Sequence, residues 1–158
     1  MNVDLYERIW LWAATGIIVV FLVSMGVTTF GYAVRPPSHV EMIDPTQVMT
    51  DPAFGPLGAS TRPDGSVRVA MAALMFTFVP AEVHVPAGRP VTFRISSLDV
   101  SHGFDIAGTN ANTMVLPGYV SQFTYTFPRP GEYLVVCNEY CGLGHHTMQG
   151  KIVVEAAP

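Results

Sequence analysis

From Ile9 to Val34 the chain carries no charged side chain, a run of 26 residues. About 20 apolar residues are enough to cross the hydrocarbon core of a bilayer as a helix. Trp10 and Trp12 stand at one end of the run and Tyr32 at the other, where amphipathic rings favour the membrane–water boundary. The run exceeds the apolar core of a signal peptide, roughly 7–15 residues. The segment Tyr32-Ala33-Val34-Arg35-Pro36 also makes a poor cleavage site. The pattern predicts one N-terminal transmembrane anchor helix within residues 1–35.

The pattern then changes twice. Residues 36–65 contain Pro36, Pro37, Pro45, Pro52, Pro56 and Pro63, with Gly55, Gly58 and Gly65. Such a stretch sustains neither a long helix nor a central strand and is expected to be a stiff linker. Asp44-Pro45-Thr46 is suited to cap one short helix. From residue 66 the period drops to two. Val91-Thr92-Phe93-Arg94-Ile95 and Phe123-Thr124-Tyr125-Thr126-Phe127 alternate apolar and polar as half-buried strands do. Val67-Arg68-Val69, Tyr133 to Cys137 and Lys151 to Glu155 mark further strands, separated by proline and glycine turns such as Pro130-Gly131. Short strands at this spacing predict an all-β sandwich or barrel over residues 66–158.

Charge narrows the partners only a little. Beyond residue 35 the chain of 158 residues has six basic side chains against ten acidic ones, a net of −4. This mild acidic balance argues against nucleic acid as a partner, for which a basic patch is expected. Arg8 and Arg35 flank the apolar run on opposite sides, so positive charge does not orient the anchor.

Chemistry concentrates near the C-terminus. Cys137-Asn138-Glu139-Tyr140-Cys141-Gly142-Leu143-Gly144-His145-His146-Thr147-Met148 gives C-x-E-x-C-x3-H-x2-M, and it contains both cysteines of the protein. Thiolate, imidazole and thioether together are the soft and borderline donors that suit copper. Two cysteines four apart also permit a disulfide or a structural zinc site. Zinc would leave Met148 and the upstream His102 without a purpose.

The loop resembles the binuclear copper (CuA) loop of subunit II of haem–copper cytochrome c oxidases. Asp99-Val100-Ser101-His102-Gly103-Phe104 and Arg129-Pro130-Gly131-Glu132-Tyr133 resemble neighbouring segments of that family. The single anchor and short domain are most similar to the ba3-type oxidases; aa3-type relatives carry two transmembrane helices in this subunit. The resemblance implies a Greek-key cupredoxin sandwich holding two copper ions bridged by Cys137 and Cys141. It implies that His102 and Met148 complete one copper, and His145 with the backbone carbonyl of Glu139 the other.

The same resemblance implies the setting. Cytochrome c would donate electrons at the outer face of a bacterial or archaeal cell membrane, with the N-terminus cytoplasmic. Haem in a catalytic haem–copper subunit I would receive them, for oxygen reduction with proton pumping, and a small helical subunit would fill the space of the missing second anchor. A nitric oxide reductase subunit bearing the same copper site is the alternative. A copper carrier is disfavoured because a closed ligand set retains its metal, and relatives that oxidise quinol lack these ligands.

Other residues have both a functional and a bland reading. Phe76 and Phe78 occupy the region where aa3-type relatives place aromatics that take up the electron; plain packing explains them equally well. Glu7 matches a glutamate at the mouth of a proton path in ba3-like relatives, or is an ordinary helix-end charge beside Arg8. His146 breaks the ligand spacing and is expected near solvent or behind the ligands. His39 in the linker and His84 in a turn are expected at the surface. Met75 and Met114 are expected to fill the core or to lie near the site.

Overall fold

The computed structural model describes residues 4–28 and 41–156. Tyr32, Arg35, Pro36, Pro37 and His39 lie outside those residues. The chain divides between His39 and Val40 into two compact units.

The first unit contains helix α1, Leu5–Gly26. Its 22 residues span roughly 33 Å at 1.5 Å each, against a hydrocarbon core of about 30 Å. The Asp4 carboxylate accepts from the Tyr6 backbone amide to cap the first turn. Glu7 lies in that turn, where the helix dipole favours negative charge. Among the described residues no ion pair joins Glu7 to Arg8, since neighbours along a helix point apart. No residue of α1 is buried. By length and composition this helix is apolar enough to cross a bilayer.

The second unit is a sandwich of eleven strands: β1 Glu41–Met42, β2 Gly58–Thr61, β3 Val67–Leu74, β4 Thr77–Val79, β5 Glu82–Pro86, β6 Pro90–Ser97, β7 His102–Ile106, β8 Asn112–Val115, β9 Tyr119–Thr126, β10 Gly131–Val136 and β11 Gln149–Glu155. One sheet runs β1-β9-β6-β3-β2 with β4 added on β3; the other runs β5-β11-β10-β7-β8. The β3–β6 and β5–β11 pairs are parallel and the other pairings antiparallel. This is the Greek-key cupredoxin sandwich expected. Alternation along β6 sends Val91, Phe93 and Ile95 inward, where they meet Phe104, Ile106 and Ile152 from the facing sheet.

Three expectations need correction. The proline-rich stretch is not simply a linker, because Ile43, Val48 and Phe54 are buried against Ala70 and Ala72 of β3. Proline and glycine prevent long regular elements, but they do not prevent packing. Arg94 holds this strap through Glu41 at 2.5 Å and lies over the Phe54 ring, while Arg68 donates to the Phe54 carbonyl. The sign was available in β3, whose run Val-Arg-Val-Ala-Met-Ala-Ala-Leu is apolar on both faces where one would serve a bare sandwich.

His84 sits within β5 and not in a turn. Its ring is exposed and bridges Glu155 at 2.8 Å and Glu82 at 3.1 Å. These two carboxylates raise its pKa above the usual histidine value. Met75 and Met114 are not core filler, as both are about half exposed. Strands β7 and β8 have no clear alternation in sequence, whereas Glu82-Val83-His84-Val85 of β5 does alternate. In β7 four of five residues are buried, so its pattern shows no polar face.

Candidate metal centre

The sandwich brings the predicted donors to one end. Cys137 follows β10, and the loop returns at Met148 to begin β11. The Cys137 amide donates to the Met148 carbonyl at 3.2 Å and closes the loop at its base. A short 3₁₀ turn, His145–Thr147, aims His145 back at the loop; its amide donates to the Gly142 carbonyl. Gly142 has φ +130°, a conformation that favours glycine. Gly144 has an ordinary φ of −90°, so the turn does not require glycine there, but packing does. A Cβ there would lie 2.4 Å from the Phe76 ring, which packs directly over the loop.

His102 comes from outside the loop as the first residue of β7, and it is completely buried. Strand β7 pairs with β10 through Val136↔Asp105, which carries His102 to the Cys137 thiol from 35 residues away. The Cys137 and Cys141 sulfurs are 3.9 Å apart. That separation is far beyond a disulfide bond of about 2.05 Å, and both cysteines are free.

Each sulfur faces two further donors. Around Cys137 lie His102 Nδ1 at 3.9 Å and the Glu139 carbonyl at 3.1 Å. Around Cys141 lie His145 Nδ1 at 3.6 Å and Met148 Sδ at 3.7 Å. Donors that share one ion at ~2.0–2.3 Å stand roughly 3.5 Å apart in near-tetrahedral geometry. The spacing is therefore that of a coordination polyhedron. A single zinc ion would use four donors and leave two, including the buried Met148 thioether, without a partner. Two soft ions sharing both sulfurs would use all six, so the donor set fits a binuclear copper group.

Surroundings hold the donors in place. Burial, then the neighbouring Cys137, pushes the Cys141 thiol up to about 11. Without metal the thiol is thus protonated at neutral pH, and metal binding must release that proton.

Sequence reading did not single out Asp99. Its Oδ1 accepts from His102 Nε2 at 2.8 Å and Oδ2 accepts from the Met75 amide at 2.7 Å. This fixes the imidazole with Nδ1 toward the sulfurs, as carboxylates behind metal-binding histidines do. Burial works against the Asp99 charge, but His102 and the Met75 and Val100 amides outweigh it and keep its pKa low. The Asp-x-x-His spacing was the available signal. Tyr140 was also missed; its exposed ring leans on the His145 imidazole with centroids 5.8 Å apart.

The remaining candidates separate. Phe76 is half-buried against the loop. Phe78 is 1% exposed and meets Phe104 edge-on, so it offers a donor protein no surface; its place is in the core. His146 is exposed and Met114 lies on β8.

Residues 64–157 match the family described as cytochrome c oxidase subunit II, periplasmic domain. One cytochrome c oxidase subunit 2 of Thermus thermophilus is 43% identical over 155 residues, 95% of this chain and 92% of the relative. A second Thermus thermophilus cytochrome c oxidase subunit 2 is 46% identical over 125 residues, 77% of this chain and 92% of that one. A chain of a haem–copper terminal oxidase dimer solved by cryo-electron microscopy superposes with a TM-score of 0.71 at 32% identity, covering 95% of this chain and 99% of that one.

Proposed function

The chain belongs to the cytochrome c oxidase subunit II family, and from that premise we propose that it carries single electrons from cytochrome c to haem in subunit I. The oxidase would be of ba3-like kind, reducing oxygen to water and pumping protons. The observation that carries this reading is the pair of sulfurs 3.9 Å apart, each faced by two further donors.

His102, Cys137, the carbonyl of Glu139, Cys141, His145 and Met148 would hold two copper ions. Bound there, the copper pair supplies a one-electron relay whose charge is shared across both thiolates. The protein contributes rigidity and dryness. His102 is locked by Asp99, the loop is closed on itself by the Cys137 amide, and Phe76 covers its glycines. Ligands that cannot relax keep the geometry similar in both oxidation states, which favours electron transfer over bond-making chemistry. A closed donor set leaves no position for a substrate.

We place the N-terminus in the cytoplasm and the copper domain on the outer face, where a soluble cytochrome would reach it. Residues 1–35 would form the anchor, and the domain would begin near residue 40, with the strap described above as its first part. Subunit I is the permanent partner, with a small helical subunit beside the single anchor.

Two measurements test this reading. The full chain in detergent, reconstituted with copper, should bind two copper ions that share one unpaired electron in the EPR spectrum. One copper per chain, or a preference for zinc, would overturn the proposal. In the purified complex, oxygen should be consumed and nitric oxide not reduced at a comparable rate; the reverse would transfer the chain to a nitric oxide reductase.

Glu7 at the cytoplasmic end of α1 would lie at the mouth of a proton path into subunit I. Glu7→Gln should then slow turnover and proton uptake of the whole complex severalfold at unchanged copper content. Unchanged turnover and uptake would reduce Glu7 to a helix-end charge.

A further inference from the structure

We propose that Tyr140 is the positioning residue of His145, its aromatic ring bracing an imidazole that no carboxylate holds. The inference rests on the electron-transfer reading above and specifies how one of its two histidine ligands keeps its orientation.

The two histidines are held in different ways. His102 is completely buried, and Asp99 Oδ1 accepts from its Nε2 at 2.8 Å. A metal-binding imidazole is ordinarily fixed by such a partner on its second nitrogen. His145 is only half-buried, and its Nδ1 lies 3.6 Å from the Cys141 sulfur. Among the described residues no side-chain hydrogen bond reaches its Nε2. The contact on this ring is aromatic instead. The Tyr140 and His145 centroids are 5.8 Å apart, with 58° between the ring planes, within the range where tilted rings attract.

The place of Tyr140 in the chain makes that contact consequential. Tyr140 lies between Glu139, whose carbonyl is 3.1 Å from the Cys137 sulfur, and Cys141. The Glu139 carbonyl and His145 are proposed for the same copper, and Cys141 bridges to it. Tyr140 is thus joined to two of these donors through the backbone and to the third through its ring. The His145 amide is already tied to the Gly142 carbonyl, so what the ring restricts is the side-chain torsions.

The ring and not the hydroxyl performs this role. Tyr140 is 70% exposed, and among the described residues its hydroxyl has no hydrogen-bond partner. One face rests on the imidazole while the rest stays in solvent. Tyr140 does for His145 by packing what Asp99 does for His102 by hydrogen bonding. A braced imidazole keeps its place whatever the charge of the metal beside it.

The test compares Tyr140→Ala and Tyr140→Phe in the full chain, reconstituted with copper in detergent. Loss of copper from the reduced chain to a copper(I)-selective chelator should be about threefold to tenfold faster in Tyr140→Ala. Tyr140→Phe should stay within about twofold of the parent. Nitrogen hyperfine couplings, resolved by electron–nuclear double resonance, should change for one histidine in Tyr140→Ala and for neither in Tyr140→Phe. Far-UV circular dichroism should match the parent in both.

Parent-like copper release and couplings in Tyr140→Ala would overturn the inference. Equal effects of the two substitutions would do the same, because they would assign the role to the hydroxyl. So would altered couplings at both histidines or a lost dichroism signal, since either marks a role in folding the loop as a whole. Should the parent itself lack the binuclear spectrum, the electron-transfer reading falls and takes this inference with it. A normal parent with an indifferent Tyr140→Ala removes the inference alone.

Discussion

Gly103→Ala is expected to weaken two-copper loading by about tenfold or more although it removes no ligand. Gly103 lies between His102 and Phe104 on β7, directly against the copper loop. A Cβ at this position would stand 1.8 Å from the Asn138 Oδ1 atom and 2.8 Å from the Asn138 backbone nitrogen. The side-chain oxygen can rotate away, but the backbone nitrogen moves only with Cys137 and Glu139. The added methyl group therefore pushes β7 from the loop, and with it His102 from Cys137. Overpacking of this kind costs about 1–3 kcal/mol, which a sandwich of ordinary stability survives. The expected result is a folded chain by far-UV circular dichroism with less than about a tenth of the parent's copper affinity. Two coppers bound with the parent EPR spectrum would show that the loop tolerates the displacement.

Phe78→Ala should produce the largest loss of stability among the substitutions considered. The ring is buried in the sandwich and packs edge-on against Phe104 at 5.5 Å, and Phe104 packs in turn on Phe93 and Phe123. Truncating a buried phenylalanine costs roughly 3–5 kcal/mol through lost transfer energy and the cavity left behind. That is a large part of a typical total of about 5–15 kcal/mol. Urea unfolding of the copper-free full chain, followed by the β-sheet dichroism signal, would measure it. Phe78→Leu should recover more than half of the loss. A change under about 1 kcal/mol for Phe78→Ala would contradict the packing role and return Phe78 to consideration as an electron-uptake residue.

These two substitutions show where sequence reading stops. A glycine after a histidine has no visible reason in the chain, because its neighbour Asn138 lies 35 residues away. Phe76 and Phe78 read alike in sequence as aromatics flanking Thr77. Strand geometry separates them: Phe78 lies in β4 and points into the core, whereas Phe76 precedes the strand and lies over the copper loop. Met75, which resembles core filler in composition, is left half exposed by the same turn.

Other features were fully legible. The charge-free run from Ile9 to Val34 predicted a long apolar helix, and Leu5–Gly26 forms one, long enough to cross a bilayer. The alternation in β6 and β9 and the glycine and proline turns specified a sandwich. The strap over β3 was hidden because its apolar residues, Ile43, Val48 and Phe54, follow no period. Without a period, the strap's own residues show no pattern, and the only trace lies in β3, whose second face is apolar as well.

By itself the sequence determined which donors this protein has and that five of its six proposed ligand positions share one loop, because spacing within a loop is local and survives in one dimension. It also determined the apolar N-terminal helix and the β class, which rest on short-range patterning. Tertiary structure alone decided that His102 reaches the thiols, that each sulfur faces two further donors, and that Asp99 joins His102 to an exposed turn. Those facts depend on the pairing of β7 with β10 and on contacts between distant segments. The pairing arises from burying two sheet faces against each other, an effect of the whole chain that no single segment encodes.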